Sequence, residues 1–233
     1  GAAPGGFPGA SASGGPDDPR FVGYRRRLIE EIRGKATDDL EILQLFDRVP
    51  RHLFLPQGVW SMAYDDRPVP IGFGQTASQP SLQAHYLEVL RPGPDDRVLE
   101  IGTGSGYLTA LLAHTAERVY SVERVRELSR RARQALDALK LQNVALLVGD
   151  GTIGWRKYAP YDVIVVSAAA PSVPEALGDQ LAEGGRMLIP VGTRDAQRLL
   201  LVRKVDGEMV SDELEGECTF VPLLGRFAFE PEE

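Results

Sequence analysis

The chain has 233 residues, of which 43% are hydrophobic and 25% charged, and its formal net charge at pH 7 is −7. This length suffices for one α/β domain with a sizeable core, and the composition is that of an ordinary soluble globular protein. The negative charge argues against bulk nucleic-acid binding, which usually needs a basic face, and no apolar stretch approaches the ~20 residues of a membrane span.

The cysteine and histidine content points to no disulfide and no metal site. Cys218 is the only cysteine, so nothing indicates an oxidising compartment, and we expect a cytoplasmic protein. His52, His85 and His114 are scattered without ligand spacing, which predicts packed or surface histidines rather than metal ligands. The sequence begins at Gly1 without a methionine, which leaves a removed signal peptide open.

The N-terminal segment differs in composition from the rest of the chain. Residues 1–20 are rich in Gly, Ala, Pro and Ser, with Phe7 as the only large apolar side chain, which predicts a flexible, dispensable tail. A single domain is predicted over residues 21–233. Its first part, 21–92, supplies helices and a loop, and 93–233 supplies a sheet and a C-terminal hairpin.

Two helices are predicted after this tail. Apolar residues recur at helical spacing from Phe21 onward. A second helix is predicted from Thr37 or Asp38, with Asp38 as its N-cap and Glu41 completing a capping box, and it ends before Pro50.

Proline and glycine punctuate the next segment, so residues 51–80 are predicted as loop and short strand, followed by a helix over 81–90. Basic runs at residues 25–27 and 124–133 alternate with glutamates, which predicts solvated helix faces.

Strands and helices then alternate, a pattern typical of a parallel sheet with helices on both faces. The strands are predicted near 97–101, 118–122, 144–148, 162–167 and 185–190. The helices are predicted near 105–116, 124–139 and 174–182.

The C-terminal part has a different pattern. Segments 198–205 and 208–214 flank Asp206 and Gly207, which predicts an antiparallel hairpin with a two-residue turn. A last strand is predicted over 218–223. The parallel sheet should therefore end in antiparallel edge strands.

Residues 98–107, with the sequence VLEIGTGSGY, are the most informative segment. A buried strand here runs into three glycines, Gly102, Gly104 and Gly106. A helical pattern follows, and such a turn presents backbone N–H groups to a nucleotide. Tyr107 occupies the place of the third glycine of a dinucleotide-binding turn, which favours S-adenosyl-L-methionine over NAD. Glu100 is a carboxylate in an apolar strand, for which the ammonium group of the methionine moiety is a suitable partner.

Acidic residues follow the next two strands at the same predicted edge of the sheet. Glu123 is expected to accept hydrogen bonds from both ribose hydroxyls, and Asp150, followed by Gly151, to accept one from the adenine amino group. The alternatives are a helix-dipole interaction for Glu123 and a plain turn at Asp150.

Several segments resemble the protein-L-isoaspartate O-methyltransferase family. The resemblance extends from about residue 21 to 224, and the loop GQTASQP at 74–80 is its most specific part, whereas the glycine turn is shared by many methyltransferases. The other matching segments are 49–56, 64–66, 71–73, 98–107, 121–124, 149–151, 168–171 and 220–223.

The resemblance implies a Rossmann-like S-adenosylmethionine-dependent methyltransferase fold. This fold has a mostly parallel sheet, antiparallel C-terminal strands and an N-terminal helical segment. The implied reaction methylates the free carboxylate of L-isoaspartyl residues in damaged proteins and peptides, which initiates repair through a succinimide. The expected partners are isoaspartyl-containing proteins and peptides, with no nucleic acid and no membrane, and we expect a monomer.

Transferred to this chain, the resemblance makes Ser78 the active-site residue. An ionised carboxylate needs no general base, so we expect Ser78 to orient it rather than act as a nucleophile. The alternative is that Ser78 only caps the following helix. The predicted substrate-binding residues are Thr76, Ser78, Val221 and Pro222. The predicted cofactor-binding residues are Thr76, Ala77, Gln79, Glu100, Gly102, Thr103, Gly104, Gly106, Glu123, Arg124, Asp150 and Gly151.

Ala77, Ser81 and the segment after Leu223 depart from the family's pattern. They leave two alternatives open. One is a relative that methylates a normal aspartate in a dedicated peptide substrate to drive imide formation. The other is a non-catalytic S-adenosylmethionine-binding module, against which the intact Ser78 loop argues.

Overall fold

The structure, a computed structural model, describes residues 14–232. The helices are α1 (Pro19–Lys35), α2 (Leu40–Arg48), α3 (Pro80–Leu90), α4 (Tyr107–Ala113), α5 (Arg126–Ala138) and α6 (Glu175–Gln180). The strands are β1 (Val69–Gly72), β2 (Gln75–Ala77), β3 (Arg97–Ile101), β4 (Arg118–Glu123), β5 (Val144–Val148), β6 (Tyr161–Val166), β7 (Leu181–Gly192), β8 (Gln197–Val205) and β9 (Glu208–Cys218). Short 3₁₀ helices cover Arg51–Phe54, Gln57–Met62, Gly151–Ile153 and Arg156–Tyr158.

The main sheet has seven strands in the order β5-β4-β3-β6-β7-β8-β9. The strands from β3 to β7 pair in parallel, and β8 and β9 are antiparallel. These pairings confirm the predicted mostly parallel sheet with antiparallel C-terminal strands and an N-terminal helical segment. From β3 the chain builds outward through β4 and β5 and then returns to the other side of β3 with β6. The carboxyl end of β3 is therefore the switch point, where open α/β sheets bind their ligands.

Both faces of β3 are covered, which explains its nearly continuous apolar sequence. Val98 packs into one hydrophobic core that also holds the N-terminal helices, and Leu99 and Ile101 pack into a second core on the other side. Among residues 14–232, no helix is both long and apolar enough to cross a membrane.

Two predicted details of the elements are wrong. Asp39, not Asp38, is the N-cap of α2, since its Oδ1 accepts hydrogen bonds from the backbone N–H groups of Glu41 (2.9 Å) and Ile42 (3.4 Å). The last strand predicted over 218–223 does not form, because β9 ends at Cys218 and residues 219–223 make only an isolated bridge at Pro222.

The predicted C-terminal hairpin is confirmed as β8 and β9. Its turn residues Asp206 and Gly207 have positive φ angles of 52° and 78°. Such angles at both positions give a two-residue turn the twist of the flanking strands.

The folded part begins earlier than the predicted domain boundary. The Gly14 backbone N–H donates to Asp18 Oδ2 (2.6 Å), and its carbonyl oxygen lies 3.3 Å from His52 Nε2. Asp18 is also the N-cap of α1. Residues 14–20 thus belong to the domain, so the prediction of a flexible tail is wrong for them, and residues 1–13 lie outside the described residues.

Arg25 departs from the prediction that its basic run forms a solvated face. Its side chain is buried, and its guanidinium donates to the carbonyl oxygens of Asp47 and Pro16, both at 2.9 Å. Its Cζ lies 5.8 Å from the centre of the Tyr64 ring. This arginine is a structural part of the N-terminal helical segment.

Candidate functional site

A cleft lies at the carboxyl end of β3, where the strand order reverses. Three parts of the chain line most of it: residues 75–78 from β2 onward, the turn 102–105 after β3, and residues 122–125 at the end of β4. The predicted site residues that line the cleft are Thr76, Ala77, Ser78, Glu100, Gly102, Thr103, Gly104, Glu123, Arg124, Gly151, Val221 and Pro222.

Two predicted cofactor contacts, Gln79 and Gly106, do not line the cleft. The Gln79 side-chain amide donates to the backbone oxygen (3.1 Å) and Oδ2 (3.2 Å) of Asp66. A Cβ at Gly106 would lie 2.9 Å from the Ala132 Cβ, so glycine here permits α5 to approach the turn. In this structure both residues support the site from outside its lining, and their direct contact with the cofactor stays a prediction.

Asp150 is also outside the cleft lining, although its neighbour Gly151 is part of it. The Asp150 carboxylate accepts hydrogen bonds from the backbone N–H groups of Thr152 and Arg226, both at 2.8 Å. This carboxylate therefore holds the C-terminal segment in place, and its contact with the adenine amino group stays a prediction.

The glycine turn needs its glycines for backbone reasons. Gly102, Gly104 and Gly106 have φ angles of 92°, 54° and 87°, a region in which a side chain is unfavourable. The turn is further fixed by Glu123, whose Oε1 accepts from the Gly104 N–H at 3.0 Å and whose Oε2 accepts from the Val125 N–H at 2.8 Å. A carboxylate has about four lone-pair sites, so Glu123 retains acceptor capacity for ribose hydroxyls.

Glu100 is fully buried in a short polar network. Its Oε1 accepts from the hydroxyls of Thr109 and Ser121, and Ser121 Oγ lies 2.6 Å from Thr103 Oγ1. Its Oε2 has no hydrogen-bond partner among the described residues. Burial raises the pKa of Glu100 to about 7, against the lowering effect of the two hydroxyls. Among residues 14–232, no cationic side chain pairs with this carboxylate.

Gln83 is a cleft residue that the sequence patterns did not predict. It lies on α3 and is 6% exposed, and its Oε1 has no partner in the part of the chain that the structure describes. The available signal was a polar residue on the buried face of α3, whose other buried residues are not charged or amide side chains. Together with Glu100, it gives the cleft two unpartnered acceptors. A primary ammonium group, with three donors, fits this pair, so the residues present suit the amino-acid end of S-adenosylmethionine.

Ser78 is half-buried, and no described residue hydrogen-bonds its hydroxyl. Its backbone carbonyl accepts from Arg51 Nη2 at 3.1 Å. The alternative that Ser78 caps α3 fails, because Asp66 Oδ1 accepts from the Ser81 N–H at 2.8 Å instead. The Ser78 hydroxyl is therefore available to a ligand.

The other unpredicted lining residues are mostly apolar, and an apolar side chain that lines a cleft cannot be told from a core residue in a single sequence. They are Gln75, Ile101, Ser105, Leu108, Val122, Val125, Ser167, Ala168, Leu223 and Leu224. In residues 14–232 no group of three or more His, Cys, Asp or Glu side chains is arranged to hold a metal ion, and the absence of a metal site stays a prediction.

The parallel sheet, the glycine turn at its switch point and the acidic residue ending the next strand define the class of S-adenosylmethionine-dependent methyltransferases. The family model for protein-L-isoaspartate (D-aspartate) O-methyltransferase matches residues 24–228. The chain belongs to this family, which confirms the predicted family and its enzyme class.

Relatives of similar length support this membership. A protein-L-isoaspartate O-methyltransferase of Trichlorobacter lovleyi is 47% identical over 205 residues, covering 88% of this chain and 94% of that protein. One from Methanoculleus marisnigri is 46% identical over 209 residues, covering 89% and 94%.

Solved structures agree with the sequence relatives. A protein-L-isoaspartate O-methyltransferase superposes with a TM-score of 0.80 at 31% identity, covering 88% of this chain and 67% of that one. A candidate enzyme of the same name from Plasmodium falciparum, in complex with S-adenosyl-L-homocysteine, gives a TM-score of 0.76 at 28% identity, covering 86% and 98%.

Proposed function

We propose that the chain transfers a methyl group from S-adenosylmethionine to the free carboxylate of L-isoaspartyl residues in proteins and peptides. The ester so formed leads to a succinimide, through which the damaged residue is repaired. The observation that carries this proposal is that Ser78, with a hydroxyl free of partners among the described residues, lines the same cleft as the glycine turn. One cleft can therefore hold the cofactor and orient the acceptor.

The reaction makes small chemical demands on the protein. A carboxylate with a pKa near ~4 is ionised at neutral pH and needs no base. The cofactor, when bound, supplies an activated methyl group on a sulfonium. Among the described residues that line the cleft there is no histidine or lysine, which agrees with a mechanism based on positioning. Correct orientation can contribute up to ~7–11 kcal/mol in favourable systems.

We assign the cofactor-holding roles to residues around the turn. The backbone of Gly102 and Gly104 would approach the cofactor closely, and Glu123 would accept from the ribose. Glu100 and Gln83 would receive the ammonium group. This group would supply the counter-charge that the buried Glu100 carboxylate does not find among the described residues.

We assign the acceptor side to Thr76, Ser78, Val221 and Pro222. Ala169 holds the last two in place, because its N–H donates to the Val221 oxygen and its oxygen accepts from the Leu223 N–H, both at 2.8 Å. Ser78 would donate a hydrogen bond to the isoaspartyl carboxylate and keep one of its oxygens directed at the methyl group.

The deciding experiment uses paired peptides that differ only in Asp versus isoAsp, with labelled methyl transfer as the readout. We expect transfer to the isoAsp peptide and very little to the Asp peptide. Equal transfer to both would replace the repair function by methylation of a normal aspartate. Binding of S-adenosylhomocysteine without transfer to either peptide would indicate a non-catalytic module.

We further propose a cytoplasmic monomer that does not bind nucleic acid. The single cysteine and the net charge of −7 support the location and the lack of nucleic-acid binding. Light scattering coupled to size exclusion tests the monomer, and a mobility-shift assay at low salt tests for nucleic-acid binding.

A further inference from the structure

Arg51 is a fully buried arginine next to the candidate active site. It is 0% exposed and begins the 3₁₀ helix Arg51–Phe54. Its Nη1 donates to the backbone oxygens of Ala63 (2.9 Å) and Asp65 (3.4 Å), and its Nη2 donates to the backbone oxygen of Ser78 (3.1 Å). One guanidinium therefore joins the Ser78 loop to a separate segment of the chain.

The same guanidinium also contacts the cofactor side of the site. Its Cζ lies 5.7 Å from the centre of the Tyr107 ring, a distance at which a cation and a ring face attract each other. Tyr107 is the first residue of α4, directly after the glycine turn, and it is buried. Arg51 thus lies between the loop that carries Ser78 and the helix that begins at the turn.

Burying this charge is unfavourable. The Arg51 guanidinium donates its hydrogen bonds to backbone carbonyls and not to carboxylates. In the described part of the chain, its Nε has no hydrogen-bond partner. Burial is also the main cause that lowers its pKa. In other proteins, well-packed apolar residues often replace a buried ion without loss of stability. We therefore attribute to Arg51 the role of fixing one arrangement of the segments it joins rather than of stabilising the fold.

We propose that Arg51 is a positioning residue for methyl transfer. By holding the carbonyl of Ser78 and packing on Tyr107, it sets the distance between the acceptor loop and the cofactor turn. This inference rests on the proposed role of Ser78, through whose hydroxyl Arg51 would act. Arg51 itself does not line the cleft.

The test is a double-mutant cycle of Arg51→Lys and Ser78→Ala, with Arg25→Lys as the matched control. Arg25 is also buried, also donates to two carbonyl oxygens and also lies over a tyrosine ring, but it does not contact the Ser78 loop. Lysine keeps the charge of each arginine but loses the planar fork that reaches several carbonyls at once.

We expect Arg51→Lys to lower kcat for the isoAsp peptide by about 10- to 100-fold at saturating cofactor. The affinity of this variant for S-adenosylhomocysteine should stay within about twofold of the wild-type value. In the Ser78→Ala background, Arg51→Lys should lower kcat by less than about threefold. Arg25→Lys should lower the melting temperature by about as much as Arg51→Lys does, but it should leave kcat unchanged.

Equal losses from Arg51→Lys in both backgrounds, or a parallel loss of cofactor affinity, would overturn the proposal and indicate a purely structural arginine. If Ser78→Ala alone has no effect on kcat, the proposed role of Ser78 is wrong, and this outcome can be told apart from a failure of the Arg51 proposal. Should Arg51→Lys not fold, Arg51→Gln, which keeps an N–H donor without the charge, enters the same cycle.

Discussion

The cleft is dominated by a few side chains whose hydrogen-bonding capacity the protein leaves unused. The Ser78 hydroxyl, Glu100 Oε2 and Gln83 Oε1 have no partner among the described residues, and all three residues line the cleft. Glu100 Oε2 and Gln83 Oε1 are also buried, and a buried polar atom without a partner is unfavourable, so these two atoms indicate where a ligand would bind. Each leads to a separate prediction.

Ser78→Ala should reduce methylation of an isoAsp peptide by one to three decades, about 1.4–4 kcal/mol at 1.36 kcal/mol per decade. The hydroxyl orients the acceptor, so affinity for S-adenosylhomocysteine should be nearly unchanged in calorimetry. Ser81→Ala, at the start of α3 and outside the cleft lining, is the control. An unchanged rate in Ser78→Ala would remove this residue from the reaction.

Glu100 should make cofactor binding pH-dependent. Its pKa of about 7 in the free protein means that an arriving ammonium group favours the ionised form and expels a proton. The Kd of S-adenosylhomocysteine should therefore fall as pH rises toward about 7 and level off above it, by at most about tenfold per pH unit. Calorimetry in two buffers of different ionisation enthalpy measures the proton released.

The same shift has a consequence for stability. Burial favours the neutral form of Glu100, so the folded protein binds this proton more tightly than the unfolded chain. The resulting contribution to the free energy of unfolding is fully present below the ordinary pKa of 4.5 and is lost as pH rises through about 7. Glu100→Gln should flatten both dependences, and an unaltered pH profile would contradict the assignment. With saturating cofactor, turnover itself should stay nearly flat from about pH 6 to 8, because no base must titrate.

Gln83→Leu should weaken binding of S-adenosylhomocysteine by about 10- to 100-fold, the typical effect of a hydrogen bond to a charged group. Binding of 5′-methylthioadenosine, which has no amino-acid end, should be unaffected and serves as the internal control. An equal loss for both ligands would mean a general change of the cleft. No loss for either would mean that Gln83 does not contact the cofactor.

Among the elements, the N-terminal helical segment depends on contacts that its sequence hides. Residues 14–18 have almost no apolar content, yet the Gly14 and Gly15 carbonyls lie 3.3 and 3.1 Å from His52 Nε2, and Asp18 caps α1. Backbone groups make most of these contacts, and backbone contacts cannot be predicted from the amino-acid composition of the segment.

A chain starting at Pro19 should therefore melt lower than one starting at Gly14. Loss of a helix cap alone costs about 0.5–2 kcal/mol, which for a chain of this size corresponds to roughly 1–8 °C. Thermal unfolding followed by circular dichroism compares the two chains directly, and Asp18→Ala in the longer chain separates the cap from the packing. Identical melting temperatures would restore the view that these residues are dispensable.

For the molecule as a whole, the alternation of strands and helices was enough to predict a parallel sheet, and the glycine turn was enough to place the cofactor end of the cleft. Both are local signals, because strand and helix periodicity and positive φ angles act over a few residues. The Asp206 and Gly207 turn was predictable for the same reason. Asp38 was predicted as the N-cap of α2 in place of Asp39, because a helix boundary read from sequence alone is uncertain by one or two residues.

The amino-acid sequence by itself determined most of the elements, the switch-point turn and the residue types that chemistry at this site requires. Only the tertiary structure decided which of those residues share the cleft. It turned Gln79 toward Asp66, placed the Arg226 backbone N–H as a donor to the Asp150 carboxylate and brought Gln83 into the same cleft as the turn. The physical reason is that local propensity depends on neighbours in sequence, whereas hydrogen-bond partners of buried groups come from segments far apart in the chain.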